Sequence, residues 1–243
     1  MRLSIRPRDS PFVASDVTVA VDVARLQGIG QVNPLPQPSE LAMNHPAVLT
    51  PSDMPAAHDA IERLRARSRA TGALVMTAFG ALWAGLGAAA TGAAPLIWTA
   101  VALLAVALAL PAVRLIRANP AVTEPLPADV AERVRRGGRI FLWACAGEGV
   151  GILLAINLVV NLGHPQWQPA AIMGVVGLHF LPLAVGFGYR PHAVTGVAMT
   201  AWALGYPWLF AAGAMAPVGP LVAGAMLFVS AAWALRSVMP TRP

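Results

Sequence analysis

Six long apolar segments constrain the fold of this chain more than any other feature. Each has close to the ~20 residues that a helix needs to cross ~30 Å of hydrocarbon at ~1.5 Å per residue. Along the chain they lie at about 70–90, 95–114, 139–161, 169–189, 192–212 and 217–236. The segments predict an all-α, polytopic transmembrane helical bundle with six spans, embedded in the lipid bilayer.

The composition agrees with a membrane location. Only 12% of the residues are charged, about half of the ~25% that is typical of soluble domains. The formal net charge is +6, but the arginines lie between apolar segments and form no basic module, so we expect no nucleic-acid partner. Cys145 is the only cysteine, which excludes an intramolecular disulfide and a thiolate cluster for zinc.

The positions of the arginines predict the orientation. From residue 63 onward, every arginine lies before the first span, between the second and third, after the fourth or after the sixth. All of them therefore fall on one side of the predicted membrane. By the positive-inside rule this side is cytoplasmic, and so are both termini.

The flanking segments are predicted to be cytoplasmic. Residues 1–52 are rich in proline and small polar residues, which favours an irregular tail. One hypothesis is that residues 1–42 come from a misassigned start codon, since the sequence after Met43 is typical of a natural start. Residues 53–69 predict a juxtamembrane amphipathic helix, 127–136 a second short surface helix, and 237–243 a short tail.

Glu148 is the only charged side chain deep within a predicted span. It follows Arg139 by nine residues, or roughly 13 Å at ~1.5 Å per residue. His179, in the next span, precedes Arg190 by eleven residues, or roughly 16 Å from the same side. Because these two spans are antiparallel neighbours, we expect a hydrogen bond between Glu148 and His179.

The residues around the predicted pair favour a buried contact. Gly147 and Gly151 are spaced so that another helix can approach this face closely, which predicts that Glu148 faces the bundle interior. Pro182 has no N–H to donate to the carbonyl of Leu178, so this carbonyl adds a polar group beside the histidine.

We do not expect the other polar residues of the spans to contact the Glu148–His179 pair. Asn157 and Asn161 are four residues apart and form a second polar strip, about half a turn away from Glu148. His192 lies beside Arg190 on the cytoplasmic side, where we expect it to be solvated.

Two functions remain open for the Glu148–His179 pair. It can act as a proton or cation relay in a carrier of a small solute, because intramembrane ionisable residues are commonly functional. Alternatively, the pair is a packing contact in a non-catalytic structural or interaction protein. Catalysis is not favoured, since the sequence has no HExxH, GxSxG or P-loop motif, and we expect no catalytic residue, metal or cofactor. A homo-oligomer is compatible with either function.

The run GLHFLPLA, from Gly177 to Ala184, follows a span with a buried acid. It resembles a G-x-H-[FY]-L-P signature in a late span of small, uncharacterised bacterial multi-span membrane proteins. The likeness covers this motif and the general layout of residues 70–236. It implies a bacterial cytoplasmic (inner) membrane location and a role for Gly177, His179 and Pro182, but no particular activity.

Overall fold

The computed structural model describes residues 54–92 and 95–238, and every regular element in this part of the chain is a helix. The six α-helices are α1 (Met54–Ala90), α2 (Pro95–Ala118), α3 (Ala128–Asn161), α4 (Gln168–Phe187), α5 (Arg190–Leu209) and α6 (Val218–Arg236). Short 3₁₀ helices, Pro165–Trp167 and Gly213–Met215, precede α4 and α6. The predictions for residues 1–52 and for the tail from residue 239 onward lie outside the described residues.

Five of the helices, α1 to α4 and α6, are long and apolar enough to cross a membrane. The chain is thus an all-helical multi-pass membrane protein in its described part, as the sequence predicts. At the position of the predicted fifth span the structure has α5, which is 20 residues long. This helix begins with arginine, proline and histidine and does not reach the apolarity of the other five.

Successive helices run antiparallel. On α4, for example, Gly174 packs beside Ala203 of α5, whereas Gly177 packs beside Thr200. The starts of α1, α3 and α5 therefore lie together with the ends of α2, α4 and α6. All arginines of the described residues lie at this end, which we call the arginine-rich end.

Four helices form the core. The closest pairs are α1 with α6 and α4 with α5, and α5 packs on α6 to join the two pairs. The other two helices are peripheral, with α2 packed mainly on α1 and α3 packed mainly on α4. Only 6% of the apolar stretch is buried in α2 and in α3, against 50% in α1 and 56% in α6.

The long helices α1 and α3 each combine two predicted pieces. The sequence predicts separate surface helices at 53–69 and 127–136, but in the structure each continues into the apolar helix without a break. Gly137 lies at the junction in α3, where it is buried against Phe187 of α4. This packing supports the helix at a point where glycine alone would favour an interruption. With 37 residues, α1 is about 55 Å long at ~1.5 Å per residue.

Two arginines of α1 join helix ends at the arginine-rich end. One guanidinium nitrogen of Arg67 donates hydrogen bonds to the carbonyl oxygens of Ile116 and Asn119, each at 3.0 Å. Arg69 donates to the carbonyl oxygen of Ser237, just after α6, at 3.2 Å. Because the last carbonyls of a helix have no partner within the helix, these contacts stabilise the ends of α2 and α6.

Candidate functional site

The structure brings Glu148 of α3 and His179 of α4 together. The Oε2 atom of Glu148 lies 3.5 Å from Nδ1 of His179. The same nitrogen lies 3.1 Å from the carbonyl oxygen of Ala144, one turn before Glu148. A proton on Nδ1 can thus be donated to this carbonyl, while the carboxylate lies at the limit of hydrogen-bond range. The imidazole, near the middle of α4, is thus held against α3.

The pair lies on the seam between α3 and α4, whereas the sequence predicts that Glu148 faces the bundle interior. The side chain of His179 is 9% exposed, and that of Glu148 is 24% exposed. The reason is the packing order of the helices, because α3 is peripheral and α4 is its main neighbour. A quarter of the Glu148 side chain is therefore accessible from outside the helices that the structure describes.

Gly151 and Gly147 differ in their surroundings. A β-carbon on Gly151 would lie 2.9 Å from a methyl carbon of Val175, so α3 and α4 approach closely there. A β-carbon on Gly147 would meet nothing within 4 Å. Of the two predicted contact glycines, only Gly151 brings α3 close to another described helix.

The residues of the GLHFLP run point in three directions. Gly177 faces α5, where a β-carbon would lie 2.5 Å from the hydroxyl oxygen of Thr200. His179 faces α3. Pro182 is exposed, and α4 continues through it to Phe187. The run thus packs α4 between its two neighbours, and of these residues only His179 contacts the site.

Asn157 and Asn161 lie apart from the pair. Both are exposed on α3. The side-chain amide of Asn157 donates to the carbonyl oxygen of Leu153 on its own helix at 2.8 Å, and Asn161 is the last residue of α3. The structure does not bring this polar strip together with Glu148.

His192 is partly buried among aromatic side chains and does not lie in open solvent, where the sequence predicts it. Its Nδ1 atom is buried, and its ring centroid lies 4.9 Å from that of Tyr189, 5.8 Å from that of Phe180 and 6.2 Å from that of Phe187. The left-handed Gly188 ends α4, and the short turn folds the start of α5 onto the end of α4. This turn and the aromatic residues beside it are the sequence signals that could have indicated the burial.

The chemistry available at the site is that of a carboxyl group beside an imidazole. Such a pair can hold a proton between its two groups, or a cation on the carboxylate when the imidazole is neutral. Within residues 54–92 and 95–238, no three His, Cys, Asp or Glu side chains are grouped as metal ligands.

Neither the protein-family models, the curated proteins nor the solved structures include a match to this chain. The resemblance of Gly177 to Ala184 to bacterial membrane proteins therefore remains a prediction. What the chain does has to be argued from the geometry of its own residues.

Proposed function

We propose that the protein is a proton- or cation-coupled carrier of a small solute, in which Glu148 and His179 hold the transported proton or cation. The observation that carries this proposal is a carboxyl group 3.5 Å from an imidazole on two apolar helices. A charged residue at the centre of a membrane helix costs ~2.5–3.5 kcal/mol on insertion scales. Such a residue is usually retained where a membrane protein uses its charge.

The geometry supports a simple coupling mechanism. His179 donates its Nδ1 proton to the carbonyl of Ala144, which fixes the ring and leaves the carboxyl group of Glu148 free to change its protonation. A protonated Glu148 beside a neutral imidazole carries no charge and is stable in a medium of low dielectric constant. An ionised Glu148 needs a cation or an imidazolium beside it. Gain or loss of one proton thus changes the stability of the site. This change is required if proton binding is to be coupled to transport of the solute.

We also propose six spans, with both ends of the membrane domain in the cytoplasm of a bacterium and the bundle in its inner membrane. In this proposal α5 also spans the membrane, in addition to the five more apolar helices, because it packs antiparallel to both α4 and α6. The arginine-rich end is the cytoplasmic one by the positive-inside rule. An alkaline phosphatase fusion after Gly213 should be active and a fusion after Gly188 inactive. The opposite result would overturn this orientation.

A second candidate is a non-catalytic structural or interaction protein in which the pair is a packing contact. Nδ1 of His179 is closer to the backbone oxygen of Ala144, at 3.1 Å, than to the carboxyl oxygen of Glu148, at 3.5 Å. A bond from a side chain to the backbone of another helix holds the two helices together whatever the charge on Glu148. The exposed face of α3 would in this case be available to a second copy in a homo-oligomer.

Infrared difference spectroscopy on the purified protein in lipid separates the two candidates without knowledge of the solute. Glu148→Gln identifies the carboxyl band. A carrier requires that this band responds to pH and that it shifts in His179→Gln. A band that stays protonated and does not respond to His179→Gln would favour the packing contact.

Proton flux gives a second readout. Liposomes containing the protein and an internal pH dye are given a potassium diffusion potential in the presence of an extract of small metabolites, and proton entry is recorded. We expect entry with the wild-type protein, loss of entry with Glu148→Gln, and wild-type entry with the control Glu132→Gln, whose carboxylate is exposed at the start of α3. Equal entry with both variants would contradict the role of Glu148.

A further inference from the structure

We propose that His192 and Tyr189 form a hydrated access route through which protons reach the Glu148–His179 pair from the arginine-rich end. In this route Phe180 is the barrier between the two histidines. The delivery of protons rests on the proposed function, whereas the access of water to His192 can be tested separately.

The rings along the route follow one another at short distances. The ring centroid of Phe180 lies 5.7 Å from that of His179 and 5.8 Å from that of His192. Tyr189 follows at 4.9 Å from His192. The guanidinium carbon of Arg69 lies 5.0 Å from the centre of the Tyr189 ring. The series therefore connects the middle of α4 to the arginine-rich end of α1.

Two buried polar atoms on this series indicate where water binds. Nδ1 of His192 and the hydroxyl oxygen of Tyr189 are both buried, and neither has a hydrogen-bond partner among the described residues. Buried polar groups in folded proteins are nearly always hydrogen-bonded to protein or to ordered water. Because the surrounding described residues offer neither atom a partner, water is the partner that suits both.

The opposite end of the bundle provides a contrast. The buried hydroxyl of Tyr206 donates to the carbonyl oxygen of Ala214 at 2.8 Å. The indole N–H of Trp202 donates to the carbonyl oxygen of Gly219 at 3.1 Å. The polar groups of these two rings are thus satisfied by backbone, whereas those of Tyr189 and His192 are not. This difference places the access route at the arginine-rich end.

The surroundings of His192 are mainly aromatic. Tyr189 of the preceding turn faces it, and Arg69 of α1 lies on the far side of Tyr189. His179 lies beyond Phe180. On α6, the uncharged Ser230 contacts Thr195, one turn along α5 from His192. Phe180 is 7% exposed and lies between the two histidines, so its movement would control the step between them.

Cysteine labelling in sealed vesicles tests the route. All variants carry Cys145→Ala, which removes the only native thiol. A hydrophilic, membrane-impermeant methanethiosulfonate reacts with thiolates and therefore reports water at the introduced cysteine. The variants are His192→Cys and His179→Cys. The controls are His58→Cys, exposed near the start of α1, and Gln166→Cys, exposed in the 3₁₀ helix at the opposite end.

We expect the reagent applied to the arginine-rich face to label His58→Cys and His192→Cys but not His179→Cys. Adding Phe180→Ala should make His179→Cys reactive from the same face. The proposal is overturned if His192→Cys stays unlabelled while His58→Cys reacts, or if it is labelled only from the face that labels Gln166→Cys.

Hydrogen–deuterium exchange at the histidine ring carbons, measured by mass spectrometry, repeats the test on the unaltered sequence. We expect His192 to exchange, though more slowly than His58, and an absence of exchange at His192 would overturn the route. If His192 is accessible but Glu148 never titrates, the proposed function fails together with the delivery of protons. If Glu148 titrates while His192 is inaccessible, the proposed function stands and this route is wrong.

Discussion

Gly196 of α5 packs directly on the backbone of Gly177 of α4. A β-carbon added to Gly196 would lie 2.8 Å from the carbonyl oxygen of Gly177, a distance that side chains do not normally tolerate. Small residues at such positions allow two membrane helices to approach closely. The contact fixes α4, which carries His179, against α5, which carries His192.

We therefore expect Gly196→Ala to lower the unfolding free energy by about 1–3 kcal/mol, the usual cost of overpacking a close contact. Gly205→Ala is the matched control, because it lies on the same helix and its β-carbon would meet nothing within 4 Å. Unfolding in detergent, followed by tryptophan fluorescence, measures both. Equal stability of the two variants would show that α4 and α5 are less closely packed than the structure has them.

Arg67 provides a second prediction, at the end of α2. Its guanidinium donates to the carbonyl oxygens of Ile116 and Asn119, and hydrogen bonds to charged groups contribute ~1.5–3 kcal/mol. Arg67→Ala should lower the unfolding free energy by about this amount. Arg65→Ala should have an effect below ~1 kcal/mol, because the ion pair that Arg65 forms among the described residues is an exposed one, with Glu62 on its own helix. A larger effect for Arg65 than for Arg67 would contradict this role.

A third prediction concerns pH and the loop between α2 and α3. Arg63 of α1 pairs with Glu124 at 2.6 Å, and this hydrogen bond holds the pKa of Glu124 below its ordinary value of 4.5. Since the folded pKa is lowered, the pair stabilises the docked loop fully above the ordinary value. This contribution is lost as the pH falls through the lowered pKa.

Amide hydrogen exchange of residues 119–127, expressed as protection factors, tests the pH dependence. We expect constant protection from neutral pH down to the ordinary glutamate range and a decrease below it. Glu124→Gln should reduce the protection at neutral pH and remove the dependence. Glu132→Gln, at an exposed pair on α3, should leave the profile unchanged. A wild-type profile in Glu124→Gln would exclude the ion pair as the cause.

The helices could be predicted from the sequence because apolar length is a local property. The meeting of Glu148 and His179 could also be predicted, since equal depth on two consecutive antiparallel helices leaves few alternatives. Which helices pack on which could not be predicted in the same way. An apolar segment can lie equally well against lipid or against another helix, so its sequence does not show which neighbour it has. For this reason the position of Glu148 on a peripheral seam was missed.

Contacts between distant residues account for the other differences. The sequence predicts a juxtamembrane helix with these arginines, but not that Arg67 reaches the end of α2, about fifty residues away. His192 is likewise buried by a turn whose register depends on Gly188. In both cases the groups that contact a polar side chain lie on another helix. The periodicity of a single segment does not predict such contacts.

The contact between α5 and α6 yields the last prediction. The hydroxyl oxygens of Thr195 and Ser230 lie 2.9 Å apart and are buried. Interhelical hydrogen bonds in membrane proteins contribute ~0.6 kcal/mol on average and up to ~1.7, so Ser230→Ala should lower the unfolding free energy by about this amount. Ser237→Ala is the control, because among the described residues its hydroxyl donates to the carbonyl oxygen of Ala234, in the last turn of the same helix. A double-mutant cycle with Thr195→Val isolates the pair, and additive effects of the two substitutions would show that the hydroxyls do not interact.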